Sequence, residues 1–203
     1  MKNDKFIIIT GGFGFVGSFF CEKLIKNNFK VIIIDKKKPK NEHQKNIARK
    51  CYMWRKIDIT KEKQILRLFQ EIKRKKIEIN FLINNAAIDS VPKINSTKNH
   101  LPKTKIWNDE IAVSLTGSYL MIKYFGEQMA NRNFGKIVNI GSDLSIIAPN
   151  QKLYSDFDNF LKPVTYSVIK HGLLGLTRYF ASLYAAKKVT VNMLSPGPIY
   201  NNQ

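Results

Sequence analysis

Tyr166 and Lys170 stand four residues apart in the segment YSVIK, so on a helix both project from one face. An unperturbed phenol, with a pKa of about 10, is too weakly acidic to serve as a base at neutral pH. An ammonium one helical turn away favours the phenolate and brings it toward working range. With a hydroxyl donor for the substrate oxygen, such a pair suits proton transfer at an alcohol or carbonyl. The spacing alone discriminates little, because Tyr52/Lys56, Tyr119/Lys123 and Tyr184/Lys188 repeat it. Only Tyr166/Lys170 follows an apolar run ending in a serine, Ser142, and precedes one ending in Pro196-Gly197.

A second constellation lies at the start of the chain, in FIIITGGFGFVG over residues 6–17. Phe6 to Ile9 read as a strand buried on both faces, ended by Thr10 and followed by Gly11, Gly14 and Gly17 at three-residue spacing. Glycines there admit a ligand where a Cβ would intrude, and the next helix aims its free N–H groups at an anion. A dinucleotide pyrophosphate is the usual occupant. Phe20, Leu24 and Ile25 share one helical face, and the apolar run Val31 to Ile34 ends in Asp35, an acceptor suited to ribose hydroxyls.

Positioning these residues requires alternating strands and helices. A short helix is predicted over Glu42 to Lys50, a third strand over Tyr52 to Ile59 with Asp58 near its end, and a helix over Lys61 to Lys75 capped by Thr60. Further strands are predicted at Ile79–Ile83, Lys136–Ile140 and Val189–Leu194, with helices over Ile106–Met129 and Val164–Ala186 between them. The polar stretch from Ile88 to Lys105, with Pro92 and Pro102, reads as a loop over one end of the sheet. The small residues Ala112, Ser114, Gly117 and Ser118 would let another backbone approach the longer helix closely. Alternation of this kind implies right-handed crossovers and one parallel α/β sheet, with ligands bound outside the carboxyl ends of its strands. Asp35, Asp58, Asn84, Ser142 and Pro196-Gly197 are all strand-terminal and belong there.

The length suits a single domain, residues 1–203. No apolar run reaches spanning length and the start lacks a signal-peptide core, so a cytoplasmic protein is expected. Cys21 and Cys51 lack metal-ligand spacing and read as idle thiols, and no metal site is expected. The formal charge is +19, with 21 Lys/Arg against 7 Asp/Glu in residues 1–76. These lysines fall at solvent-facing positions without interleaved aromatics, so a solvated face is expected rather than a nucleic-acid surface.

Taken together, TGGFGFVG at 10–17, Asp58, NNAA at 84–87, IVNIGS at 137–142, YSVIK at 166–170 and VNMLSPGPI at 191–199 resemble the short-chain dehydrogenase/reductase family. The resemblance covers essentially the whole chain. It implies a Rossmann-type, doubly wound parallel sheet of strand order 3-2-1-4-5-6, and an NAD(P)-dependent oxidoreductase acting on a small-molecule hydroxyl or carbonyl. It implies Tyr166 as acid/base, Lys170 as the residue that lowers its pKa and binds the nicotinamide ribose, and Ser142 as substrate-oxygen donor. Thr10, Gly11, Gly14, Phe15, Val16 and Gly17 would hold the pyrophosphate, Asp35 the adenosine ribose, and Asp58 and Ile59 would face the adenine. Asn85, Ala86 and Ala87 would line the cofactor cleft, and Pro196, Gly197 and Ile199 would contact the carboxamide. The segment 146–157 with Pro163 is similar to the flagellin-modification and surface-sugar branch. Tyr154 and Lys162 would there shape a substrate pocket.

Three departures carry consequences. Phe15 stands where most members have glycine, the spacing of sugar-nucleotide epimerases and dehydratases. Ser114 occupies the place of a catalytic asparagine that anchors a relay water. The sequence also stops before the family's seventh strand and substrate-covering helix, which predicts an exposed sheet edge and poor stability of the isolated chain. The leading expectation is an oxidoreductase on a sugar or sugar derivative. An epimerase or dehydratase with tightly held NAD and a non-catalytic dinucleotide-binding remnant are the alternatives. Asp35 favours NAD over NADP, Lys36 to Lys38 work against that preference, and the two long helices would pair in a homo-oligomer.

Overall fold

The structure, a computed structural model, describes residues 5–88, 101–154 and 161–199. Among these residues six strands form one sheet in the order β3-β2-β1-β4-β5-β6, every neighbouring pair parallel. The strands are β1 (Phe6–Thr10), β2 (Lys30–Asp35), β3 (Met53–Lys56), β4 (Ile79–Asn84), β5 (Gly135–Ile140) and β6 (Val189–Leu194). β1 is central, because it pairs with both β2 and β4. Successive strand side chains face opposite sides, and here both sides are buried. Ile7, Ile9, Val31 and Ile33 pack on one side with Phe13, Cys21 and Ile47. Ile8, Ile32, Ile34 and Leu82 enter the larger core on the other. Isoleucine and valine runs therefore serve as strands covered by helices on both faces.

The first side is covered by α1 (Phe15–Lys26) and α2 (Glu42–Lys50). The second is covered by α3 (Glu62–Arg74), by a rod over residues 104–131 and by α7 (Val164–Tyr184). The rod consists of α4 (Thr104–Ile111), α5 (Gly117–Met121) and α6 (Glu127–Asn131), joined without a break by two π-helical turns, Ala112–Thr116 and Ile122–Gly126. Gly117 lies so close to Ile59 that a Cβ there would stand 2.6 Å from its Cδ1. Gly117 thus admits the Ile59 side chain.

Beyond shifts of one or two residues at element ends, the stretch after β3 differs from the sequence expectation in two ways. The third strand ends at Lys56 rather than Ile59, because the backbone turns away from β2 after Ile57, whose N–H still bonds Asp35. Thr60 does not cap the next helix. Its N–H and hydroxyl both donate to Asp58 Oδ1, at 3.0 and 2.7 Å, and Lys61 takes the cap position with no side-chain hydrogen bond. Pro92, residues 155–160 and the Tyr154 side chain, expected to belong to loops near the site, lie outside what the structure describes.

A buried polar chain fixes α7 against the sheet. Asn84 Nδ2 donates to Asn139 Oδ1 at 2.8 Å, Asn139 Nδ2 to Thr177 Oγ1 at 2.9 Å, and Thr177 Oγ1 to the Leu173 carbonyl at 2.7 Å. β4, β5 and α7 are thereby tied at one level, one side chain from each. Buried polar groups persist when paired, and of this set only Asn84 Oδ1 is without a partner among the described residues.

Candidate active site

The glycine turn joins β1 to α1. Gly11 adopts φ +67, a conformation that side chains disfavour, and its N–H donates to the Ile34 carbonyl at 2.7 Å. A Cβ on Gly17 would lie 2.1 Å from the Gly11 carbonyl oxygen, so only glycine lets the helix start this close to the turn. Helical order begins at Phe15, and the N–H groups of Phe15, Val16 and Gly17 are its first-turn donors. The Phe15 side chain is nearly half exposed and meets Phe19 edge-on. Free N–H groups at a helix start that glycine holds this close to the turn fit a pyrophosphate.

Neighbouring strand ends brace this turn. Thr10 Oγ1 accepts from the N–H groups of Asn85 (3.1 Å) and Ala86 (3.0 Å), and Asn85 Nδ2 donates to the Thr10 and Gly11 carbonyls. The Asn85 amide is thus committed to holding the turn in shape. Asp35 Oδ2 accepts from Phe13 N–H at 2.9 Å and Oδ1 from Lys37 N–H at 2.8 Å, which leaves lone pairs on both oxygens for hydroxyl donors. Lys36 Nζ reaches Asp58 Oδ2 at 3.1 Å. Burial works to raise the Asp58 pKa, but hydrogen bonds from Thr60 and Lys36 outweigh it and hold the carboxyl below its usual range. Ile59 is buried and its side chain belongs to the core, so only its backbone is offered to a ligand.

Along the same edge of the sheet, past the end of β5, lie Ser142, Lys170 and Tyr166. Ser142 follows β5 and is buried. Its hydroxyl donates to Asp143 Oδ1 at 2.7 Å and accepts from Leu144 N–H at 3.2 Å. The hydrogen bond from Ser142 leads the interactions that keep the Asp143 carboxyl below the ordinary range. Lys170, also buried, donates from Nζ to the Ile140 carbonyl at 2.8 Å, and its ammonium lies 5.4 Å from the centre of the Tyr166 ring. A second ammonium, Lys162, stands 3.8 Å over that ring. Both ammonium groups therefore lie against the Tyr166 ring. Asp143 N–H points at the Pro196 carbonyl, 3.4 Å away, which draws the segment after β6 to this end, where Gly197 and Ile199 are exposed.

A cavity of about 20 Å³ opens between α7 and the rod, lined by Ala87, Ile88, Glu110, Ser114, Pro163, Thr165, Tyr166, Ile169 and Lys170. Ser114 falls in the first π turn, where helix geometry is relaxed, a frequent feature of functional sites. Its hydroxyl is buried and has no hydrogen-bond partner among the described residues. The structure thus brings together Ser114, Tyr166 and Lys170 on one cavity wall with Ala87, and Lys170 ties them to the end of β5 two residues before Ser142. Asp143, Glu110 and the Asn139–Thr177 bond were not singled out from sequence. Adjacency to Ser142 and the four-residue step from Glu110 to Ser114 are the signals that point to the first two. A larger depression of about 670 Å³ runs along the edge strand, between Cys51 and Lys75. It lies away from the strand ends that carry these groups.

An all-parallel sheet in this order, with a glycine turn after its first strand, defines the class of Rossmann-type dinucleotide-binding proteins. Over residues 5–202 the sequence matches the short chain dehydrogenase family, and the chain belongs to it. It is accordingly an NAD(P)-dependent oxidoreductase. Among curated relatives it is similar to the NAD-dependent glycerol dehydrogenase of Listeria innocua serovar 6a, at 28% identity over 95% of this chain and 70% of that protein. Among solved structures it is similar to a short chain dehydrogenase from Leptospira borgpetersenii serovar Hardjo-bovis with bound NAD+. The TM-score is 0.83 and identity 27%, over 98% of this chain and 73% of that one. It is also similar to ElxO with NADP bound, at TM-score 0.78 and 26% identity over 98% of this chain and 75% of that one.

Proposed function

We propose that this chain interconverts a secondary hydroxyl and a carbonyl on a polyhydroxylated small molecule, a sugar or sugar derivative. The observation that carries the reading is the convergence of Ser142, Tyr166 and Lys170 at the strand end beside Ala87, with the glycine turn at the same edge of the sheet. Tyr166 would exchange the proton of the substrate oxygen and Lys170 would hold its charge state, while Ser142 would turn its hydroxyl proton from Asp143 to that oxygen. A nicotinamide dinucleotide, held by the Phe15 to Gly17 N–H groups and by Asp35, supplies hydride chemistry when bound. Asp143 beside Ser142 offers a carboxylate to further hydroxyls, which suits a polyol, and the likeness to a glycerol dehydrogenase agrees. A place in surface-glycan or flagellin modification, in the cytoplasm, is the setting in which we read this substrate class.

Asp35, with acceptor capacity left on both oxygens, and Lys36, engaged by Asp58, favour NAD over NADP. The GxxGxxG spacing supports a second reading, an epimerase or dehydratase. Its mark would be stoichiometric NAD carried through purification. The deciding experiment is NAD-linked oxidation of a panel of polyols by the wild type and Tyr166→Phe. Loss of about 10²- to 10⁴-fold in kcat with unchanged NADH binding is expected. Wild-type turnover in the Phe variant would end the reading.

We also read the chain as a single NAD(P)-binding domain that forms a homo-oligomer. Val168, Tyr179 and Leu183 on α7 and Tyr119 on the rod are exposed apolar residues on the helices expected to pair. Sedimentation is expected to give a dimer or larger assembly, and Tyr179→Glu with Leu183→Glu to give monomers.

A further inference from the structure

The Ser142 hydroxyl proton is already committed before any substrate arrives. It goes to Asp143 Oδ1 at 2.7 Å, and the Leu144 N–H, 2.8 Å from that oxygen and 3.2 Å from Ser142 Oγ, holds the two side chains together. Such a bond to a carboxylate is roughly twice as strong as one between neutral groups. Ser142 N–H donates to Ser145 Oγ at 3.0 Å, which braces the backbone of the same short turn. That turn, Asp143–Ser145, packs against α7. Lys162, whose ammonium lies over the Tyr166 ring, acts on Asp143 as well, since its charge is among the influences that hold the carboxyl below its usual range. Asp143 thus shares a cation with the face of Tyr166. It is exposed where Ser142 is buried, so the carboxylate meets an incoming molecule first.

We propose that Asp143 is a specificity-determining residue that selects substrates with a hydroxyl on the carbon next to the reacting one. That hydroxyl replaces Ser142 as donor to Asp143 and releases the Ser142 proton to the reacting oxygen. The inference rests on the oxidoreductase reading of the same site. Spacing carries the demand for a neighbouring hydroxyl. Ser142 Oγ and Asp143 Oδ1 stand 2.7 Å apart, and the two oxygens of a gauche diol are also about one hydrogen-bond length apart. One substrate oxygen therefore meets Oγ while its neighbour meets Oδ1, without folding the substrate chain back on itself. The hydrogen bonds at Asp143 stay equal in number, because one O–H leaves as another arrives. A substrate with a lone hydroxyl or carbonyl offers no replacement, and turning Ser142 toward it forfeits the bond to the carboxylate. Asp143 stays ionised throughout, and the reacting oxygen exchanges its own proton with Tyr166.

The test compares propylene glycol with isopropanol, which lacks only the neighbouring hydroxyl, on the full chain and on Asp143→Asn, which keeps the shape and removes the charge. With NAD, the wild type is expected to favour the glycol in kcat/KM by about tenfold or more. The Asn variant should lose most of that ratio in a particular way, falling with the glycol and rising with isopropanol as Ser142 is set free. Asp143→Ala, which removes the acceptor altogether, should go further in the same direction. A damaged fold lowers both substrates together and leaves the ratio unmoved, so a ratio unchanged in both variants would overturn the proposal. Binding gives a second readout that needs no turnover: calorimetric titration of hydroxyacetone and of acetone into the enzyme with NAD bound. Hydroxyacetone is expected to bind the wild type about tenfold more tightly, and the Asn variant is expected to bind the two alike. Equal affinities in the wild type, or none for either ligand, would refute the role of Asp143. If the wild type oxidises no alcohol, the oxidoreductase reading fails while the titration still judges Asp143.

Discussion

At the scale of single residues, the side chains that bear chemistry are also the ones holding backbone in place. Lys170 anchors on the end of β5, Asp35 on the glycine turn, Asn85 on β1. The thiols contrast with them. Burial leads the interactions that push Cys21 up to about 12 and Cys51 up to about 11. A thiol whose folded pKa is raised contributes stability that is complete below its unfolded value, about 8.5, and is lost as pH rises toward the folded one. Neither cysteine should react with an aromatic disulfide reagent at pH ~8 until urea unfolds the chain. Fast labelling of Cys21 in the folded protein would contradict the geometry. The Tyr166/Lys170 pair was legible from sequence because placement after a serine-ended strand separated it from three equal spacings. Glu110 was not, since one acid in a helix reads as a solvated face until packing buries it. Asn85 was assigned to a ligand cleft, but a side-chain amide can turn inward, and it braces the turn.

At the scale of elements, the start of α1 is the most constrained point. Gly17→Ala would drive a methyl into the Gly11 carbonyl and displace the turn that Asn85 and Thr10 hold. NADH binding, followed by fluorescence, is expected to weaken by about tenfold or more, whereas Gly175→Ala on α7, whose Cβ would meet nothing within 4 Å, should leave it unchanged. The periodicities of β1, β2 and α7 made these elements readable, because runs buried on both faces leave few alternatives. The end of β3 was misread because Ile57 and Ile59 prolong its apolar pattern. They are core residues of the following loop, and Asp58 turns outward between them to take Thr60 and Lys36.

At the scale of the molecule, charge is the dominant imbalance. With 34 Lys/Arg against 15 Asp/Glu, the folded chain concentrates like charge that the unfolded chain spreads out. The six Lys/Arg–carboxylate ion pairs found among the described residues are mostly surface contacts of small individual worth. Raising salt from ~20 to ~500 mM shortens the screening length severalfold and is expected to raise the melting temperature by a few degrees. A fall would show that the ion pairs outweigh the repulsion. Among the described residues no helix is long and apolar enough to cross a membrane. The strand order was readable as a whole through the ordered motifs, whereas the way the rod bends through two π turns has no signature in residue spacing.

The buried chain from Asn84 through Asn139 to Thr177 has a consequence for how the sheet finds its alignment. β1 and β2 present near-identical isoleucines, and such strands slide past one another with little change in apolar contact. A one-residue slip of β5 against β4 would instead turn Asn139 to the opposite face and strand three polar groups in the core. The amides thus act as a vernier for a ruler whose divisions all look alike. They select the single alignment in which Ser142 emerges beside Tyr166.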